Sequence, residues 1–255
     1  MCMRDCGNDT VADWITRTNF SNQRNGPIVR YYQQFDNSII GYVSITKTAS
    51  KVYRKWCYDN TPRTALEPGC DTWFTVIRDP HHRTVSGLCE FWNRLSSRVR
   101  GGRFPVPPHL KQICDHIPEH LWRSVGRLTT ALPFDQPHTE LINTLLEFAC
   151  EDLSVFDEHL EPQVNFIDPQ IHTVNTELLA VKFERHWEII PPLFAHQPVV
   201  YRNLMRYLRP ISDTPVRTIS RDLLGECVRK NYMSDYLLWR SLDNNSPTSI
   251  VPEFE

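Results

Sequence analysis

The chain has 255 residues, 40% of them hydrophobic and 23% charged, which suits one large soluble α/β domain or one domain with a small appendage. A formal charge of −2 argues against a general nucleic-acid binder, and no run approaches the roughly 18–20 apolar residues of a membrane span. The 8 cysteines include no C-x-x-C pair, so no zinc site is expected despite 10 histidines, and with nothing that targets secretion they read as mostly reduced thiols. Arginines outnumber lysines 22 to 6; arginine suits bidentate oxyanion recognition, although genome bias produces the same skew.

Residues 1–37 are polar and read as an irregular N-terminal lead-in, with a turn at Asn25-Gly26 and one short helix near Val11–Thr18. Met1 to Asp9 has no apolar core, which predicts no signal peptide and a cytoplasmic location. Ile39–Ile45 is apolar enough for a buried parallel strand, followed by a helix over Ser50–Tyr58. Asp59–Asp71 holds two prolines and a glycine and reads as loop. Trp73–Ile77 is the second strand, and its helix runs from Pro80 to Leu95, with proline favourable in the first turn. A Gly- and Pro-rich loop covers 99–110, and helices follow over Leu110–Ile117, Glu119–Arg127 and Thr139–Cys150. Leu178–Phe183 reads as a further buried strand, and Glu184–Ile190 as a helix interrupted by Pro191-Pro192. Between Ser220 and Leu242 apolar residues recur at helical spacing. Strand–helix alternation predicts a parallel sheet covered on both faces, in a single domain over 38–245 with a tail at 246–255.

Two strand ends carry anion-binding chemistry. After the first strand, Thr46-Lys47-Thr48-Ala49-Ser50-Lys51 offers backbone amides at a turn and helix start, with a lysine ammonium beside them. It lacks the glycines of a Walker loop, and alone it reads as a solvated turn. After the second strand comes Arg78-Asp79-Pro80-His81-His82-Arg83-Thr84-Val85-Ser86. An arginine and a hydroxyl there suit a terminal phosphate, and Asp79 suits a helix cap. The plainer reading pairs Arg78 or Arg83 with Asp79 or Glu90.

Together these segments resemble the PAPS-dependent sulfotransferase superfamily, in its carbohydrate (Golgi-type) branch. Phe156-Asp157-Glu158-His159-Leu160-Glu161-Pro162-Gln163 is similar to that branch's D-E-H-W-x-P-Q segment, and Val181-Lys182-Phe183-Glu184 to its G-K-Y/F-E strand. Tyr232 to Trp239 is similar to its closing Y-x-x-D-Y/F-x-L-F helix, so the likeness spans about residues 39–240 in order. It implies a three-layer, P-loop-NTPase-like fold with a central parallel sheet. The implied cofactor is 3′-phosphoadenosine 5′-phosphosulfate (PAPS), leaving adenosine 3′,5′-bisphosphate, with no metal. The first motif (Lys47, Thr48, Ala49, Ser50, Lys51) would grip the 5′-phosphosulfate, and Arg78, Arg83 and Ser86 the 3′-phosphate. The chain departs from the branch at Thr46, usually proline, and at Lys51 and Val52, usually Ser or Thr. The gap from Lys47 to Arg78 is also short for the branch, which implies loss of a strand that often supplies the catalytic base.

The expected reaction is in-line transfer of a sulfuryl group to a hydroxyl, on a carbohydrate by the resemblance, with Lys47 stabilising the leaving phosphate. Base candidates are His159, because imidazole titrates near neutrality, and Glu67 or Asp71 between the motifs. Glu184 and His186, past a strand end, rank behind them. Two alternatives stay open: a nucleotide-dependent phosphotransferase, and a non-catalytic binding protein that keeps the fold.

Overall fold

The Trp-Phe-Thr-Val-Ile run at 73–77 is apolar on both parities, and such a strand is stable only where both faces are covered. The computed structural model describes residues 28–33, 39–49, 52–53, 72–101, 106, 108–129, 134–153, 156, 159–167, 177–194, 202, 204–205, 208 and 219–250. In it this run is the centre of a five-stranded sheet. The strands lie side by side in chain order: β1 (Ile28–Gln33), β2 (Ile39–Ser44), β3 (Thr72–Ile77), β4 (Glu177–Lys182) and β5 (Thr248–Ile250). β2, β3 and β4 are parallel, while β1 and β5 run antiparallel along the two edges. The protein is therefore α/β with a mixed sheet, and the expected parallel strands form its interior.

Period-two alternation sorts the side chains. Tyr42, Phe74, Val76 and Val181 enter one core with Tyr53, Phe183, Ile189 and Ile190. Val43, Trp73, Ile77, Leu178 and Ala180 enter another with Val164, Phe166, Leu238 and Leu242. Both faces are thus packed.

Two segments expected to be irregular contain strands, β1 inside 1–37 and β5 inside 246–255. Each borders the sheet through one neighbour, so pairing rather than apolar content specifies it. The described chain divides into two compact units. The first comprises Met1–Arg78, Pro162–Pro210 and Leu237–Glu255 and holds the whole sheet; the second comprises Asp79–Glu161 and Ile211–Tyr236.

The second unit is helical: α1 (Pro80–Gly101), α2 (Pro108–His116), α3 (Glu119–Ser124), α4 (Gln136–Glu151) and α6 (Arg221–Asn231). On α1, Val85, Leu88, Cys89, Trp92 and Leu95 recur at helical spacing and are buried against Leu141, Leu145, Leu224 and Val228. Burying each large side chain contributes about 1.5–3 kcal/mol. Trp92 Nε1 donates to the Gly126 carbonyl at 2.9 Å, and Asn93 exchanges two hydrogen bonds of 2.8 Å with the backbone of Leu128, fastening the chain after α3. α1 runs past Leu95 to Gly101, with Arg98 and Arg100 in its last turn complementing the helix dipole. The helical pattern of 220–242 breaks at Tyr232 (φ −130°, ψ 24°), which separates α6 from α7 (Met233–Ser241). The short α5 (His186–Ile189) follows β4 in the first unit. No helix among the described residues is long and apolar enough to cross a membrane.

Candidate functional site

β2, β3 and β4 end at one edge of the sheet, where Ile77 pairs in register with Lys182. The carboxyl ends of parallel strands are where open α/β sheets take ligands. Past β2 the chain turns over Thr46–Ala49; past β3 comes Arg78; past β4 a 3-10 turn covers Phe183–Arg185.

In the first of these turns Lys47 (φ 66°) and Ala49 (φ 60°) are left-handed, the only non-glycine residues with positive φ among the described residues. Thr48 between them is fully buried, and its Oγ1 donates to the Ile45 carbonyl at 2.9 Å. Alternation of φ sign over three residues turns successive amides toward one side, the backbone arrangement of anion-binding concavities. The Thr48 hydroxyl serves the turn itself, so only its amide is left for the expected ligand contact. A helix starts here: the amides of Val52 and Tyr53 both donate to the Ala49 carbonyl.

Arg78 is 5% exposed. Its Nη1 donates to the Lys47 carbonyl at 3.2 Å, and its guanidinium carbon lies 4.5 Å from the centroid of the Phe183 ring. Such cation–π stacking is worth about 0.5–2 kcal/mol, more when dry. The Gln163 side chain accepts from Arg78 N and donates to Arg78 O, each at 2.9 Å. The structure therefore brings Lys47, Thr48, Ala49 and Arg78 together.

Three neighbouring groups carry more weight here than their sequence positions suggest. Gln163, at the end of the D-E-H-L-x-P-Q segment, is fully buried against the Arg78 backbone. Tyr53 Oη and His186 Nδ1 lie 2.7 Å apart, with the His186 ring tilted on Phe183; burial pushes this imidazole down to about 4, so it is neutral. Lys182 Nζ donates to Asn244 Oδ1 at 2.8 Å and sits 4.8 Å over the Trp239 ring. Trp239 Nε1 in turn donates to Glu184 Oε2 at 3.2 Å. A lysine closing an otherwise apolar strand was the sequence signal for Lys182.

The remaining described site residues belong to the second unit. Asp79 Oδ1 accepts from the His81 amide at 2.9 Å, the cap expected at the start of α1. Burial raises this carboxyl, but hydrogen bonds from the His81 ring and amide outweigh it and leave the pKa lowered. Ser86 is 8% exposed. Arg83 is only 1% exposed; it acts, with the buried Asp235, on the phenol of Tyr232, which burial pushes well above its ordinary pKa. Its guanidinium is thus a charge inside the helical unit. His159 is also buried, and Arg94 Nη2 lies 3.2 Å from its Nε2. A guanidinium can only donate, so that ring nitrogen accepts and its lone pair is occupied. Ser50, Lys51, Glu67, Asp59 and Asp71 lie outside the described residues.

Among the described residues no group of three His, Cys, Asp or Glu side chains is placed to hold a metal ion. Comparison of the chain with protein-family models, with curated proteins and with solved structures finds no match.

Proposed function

We propose that the chain is a sulfotransferase that moves the sulfuryl group of PAPS to a hydroxyl acceptor, a carbohydrate in the first instance, on a P-loop-NTPase-like sulfotransferase fold. The observation that carries this reading is the 3.2 Å hydrogen bond from Arg78 to the Lys47 carbonyl. It joins the two motifs at the carboxyl edge of the parallel strands, where a ligand with separated anionic groups would meet both. The donor set fits such a ligand: a turn of alternating φ, an ammonium and a guanidinium.

PAPS supplies an activated sulfuryl group on a phosphate leaving group. Lys47 offsets the charge that collects on that phosphate. Arg78 is assigned to the 3′-phosphate, remote from the reacting centre, so it contributes binding energy rather than chemistry. A second reading, a binding protein without turnover, is favoured by one observation: Arg94 occupies the His159 nitrogen that a general base would need.

Isothermal titration with adenosine 3′,5′-bisphosphate tests the first step. Micromolar binding by the wild type, lost in Arg78→Ala, supports the cofactor site; a folded wild type that binds none sinks the sulfotransferase reading. Turnover of labelled PAPS then separates enzyme from binding protein. An enzyme loses turnover in Lys47→Ala, and a binding protein has none in any variant.

A further inference from the structure

Lys182 ends β4 on the parity of Leu178 and Ala180, which face the core that Trp239 packs against, whereas Phe183 packs into the other core. Arg78 stacks on Phe183, so Lys182 belongs to a different place on the same sheet edge. The residue is 8% exposed. Among the described residues its ammonium meets only the neutral Asn244 amide, at 2.8 Å, and the face of the Trp239 ring. An ammonium has three donors, and the amide takes one. Burying a charge without an opposite charge is costly, and an aromatic face plus one neutral acceptor offsets it only in part.

The surroundings are built rather than incidental. Trp239 is held by its indole N–H on Glu184 Oε2, so that carboxylate oxygen props the indole. Asn244 is presented by an ordered turn: Asp243 N donates to Thr248 Oγ1 at 2.9 Å, and Asn245 N donates to Asp243 Oδ1 at 2.7 Å. Parallel strands end at this edge, which is where ligands of open sheets collect.

We infer that Lys182, Trp239 and Asn244 form a second anion-binding site, separate from Arg78, for a single oxyanion group such as a carboxylate or a sulfate ester on a ligand. Lys182 supplies the charge, Trp239 fixes the direction of its stem, and Asn244 sets the remaining N–H groups toward the ligand. The site does not depend on the proposed reaction.

The test follows the Trp239 indole N–H resonance in nitrogen-15 spectra of the whole chain, identified with Trp239→Phe. Sodium sulfate and sodium acetate are the probes, titrated at constant ionic strength to separate tetrahedral from planar oxyanions. The expected result is a saturable shift with at least one of them, weakened about tenfold or more in Lys182→Gln, as loss of a charged hydrogen bond requires. Lys182→Arg retains the shift, and so does Arg78→Ala. A wild type without a saturable shift overturns the site, and that titration decides the matter even if Lys182→Gln does not fold. An unchanged shift in Lys182→Gln overturns it too. Loss of the shift in Arg78→Ala would place the ion in the motif site instead and equally defeat a separate one. Binding of adenosine 3′,5′-bisphosphate is read independently, so failure of the one inference is distinguishable from failure of the other.

Discussion

The carboxamide of Gln163 clasps the backbone of Arg78 at both ends, accepting from its N–H and donating to its carbonyl at 2.9 Å each. Arg78 is the first residue beyond β3, where the ladder with β4 has ended and its own backbone groups have no strand to pair with. A side chain from 85 positions away takes the place of that strand. With the backbone so held, the guanidinium is delivered onto the Phe183 ring and the Lys47 carbonyl.

Gln163→Leu removes both side-chain hydrogen bonds to the Arg78 backbone and buries an apolar group against them, at about 1–3 kcal/mol each. Urea unfolding should show a loss of roughly 2–5 kcal/mol, of which part is recovered by repacking. On the proposed function, affinity for adenosine 3′,5′-bisphosphate falls as well, and the loss disappears when Arg78 is already alanine. Additive losses in the double variant would show that Gln163 acts through something other than Arg78.

β2, β3 and β4 were legible in the sequence because an apolar run with no polar face has one stable place, inside a parallel sheet. α1 was legible from its period, and its N-terminus from Asp79 and Pro80. β1 and β5 were not, because their stability lies in pairing with β2 and β4, which a linear pattern does not encode. The same holds at the site. Lys47 and Arg78 stand out as cations at strand ends, and the positive φ at Lys47 and Ala49 fits that reading of the turn. Gln163 and Tyr53 matter through partners 85 and 133 positions away, which no local pattern marks, and Lys182, though it closes an apolar run, finds its partner 62 positions away. For Arg83 and His159 the sequence shows the chemistry, while their burial beside Tyr232 and Arg94 follows from helix packing and is not legible in it.

Two glycines should respond oppositely to alanine. A Cβ on Gly87 of α1 would lie 2.5 Å from the His159 carbonyl oxygen, a backbone atom that cannot step aside. Gly87→Ala should therefore cost about 1–3 kcal/mol by overpacking, despite alanine's better helix propensity. Gly225 of α6 has open space at that position, so Gly225→Ala should stabilise by about 0.5–1 kcal/mol. Thermal melts of the two variants check this, and a stabilised Gly87→Ala would contradict the close packing.

Ala49 is held at φ 60°, where an L-residue bears roughly 1–2 kcal/mol of strain. Ala49→Gly relieves that strain but widens the unfolded ensemble and removes a methyl packed on the Tyr42–Phe74 core, so the net change should lie within about 1 kcal/mol of zero. Ala49→Val adds a β-branched side chain at the same φ and should destabilise by more than that. Chemical denaturation of both variants distinguishes them; equal stabilities would mean the turn is not held left-handed in solution.

His186 gives the protein a pH dependence whose sign is fixed by burial. The ring is 1% exposed and its Nε2 has no hydrogen-bond partner among the described residues, so burial lowers the pKa from 6.5 to about 4. Between those values the unfolded chain binds a proton that the folded chain refuses. Stability is then fully present above pH 6.5 and is lost as the pH falls toward about 4, at no more than about 1.4 kcal/mol per unit. Urea unfolding at pH 7 and at pH 5.5 falls inside this window while staying above most carboxylates. The wild type should weaken between the two, and His186→Gln, which cannot take the proton, should lose most of that difference while losing stability at pH 7 through Tyr53. If the variant keeps the wild-type slope, the titrating group is elsewhere, and the ring is better solvated than its place between Tyr53 and Phe183 implies.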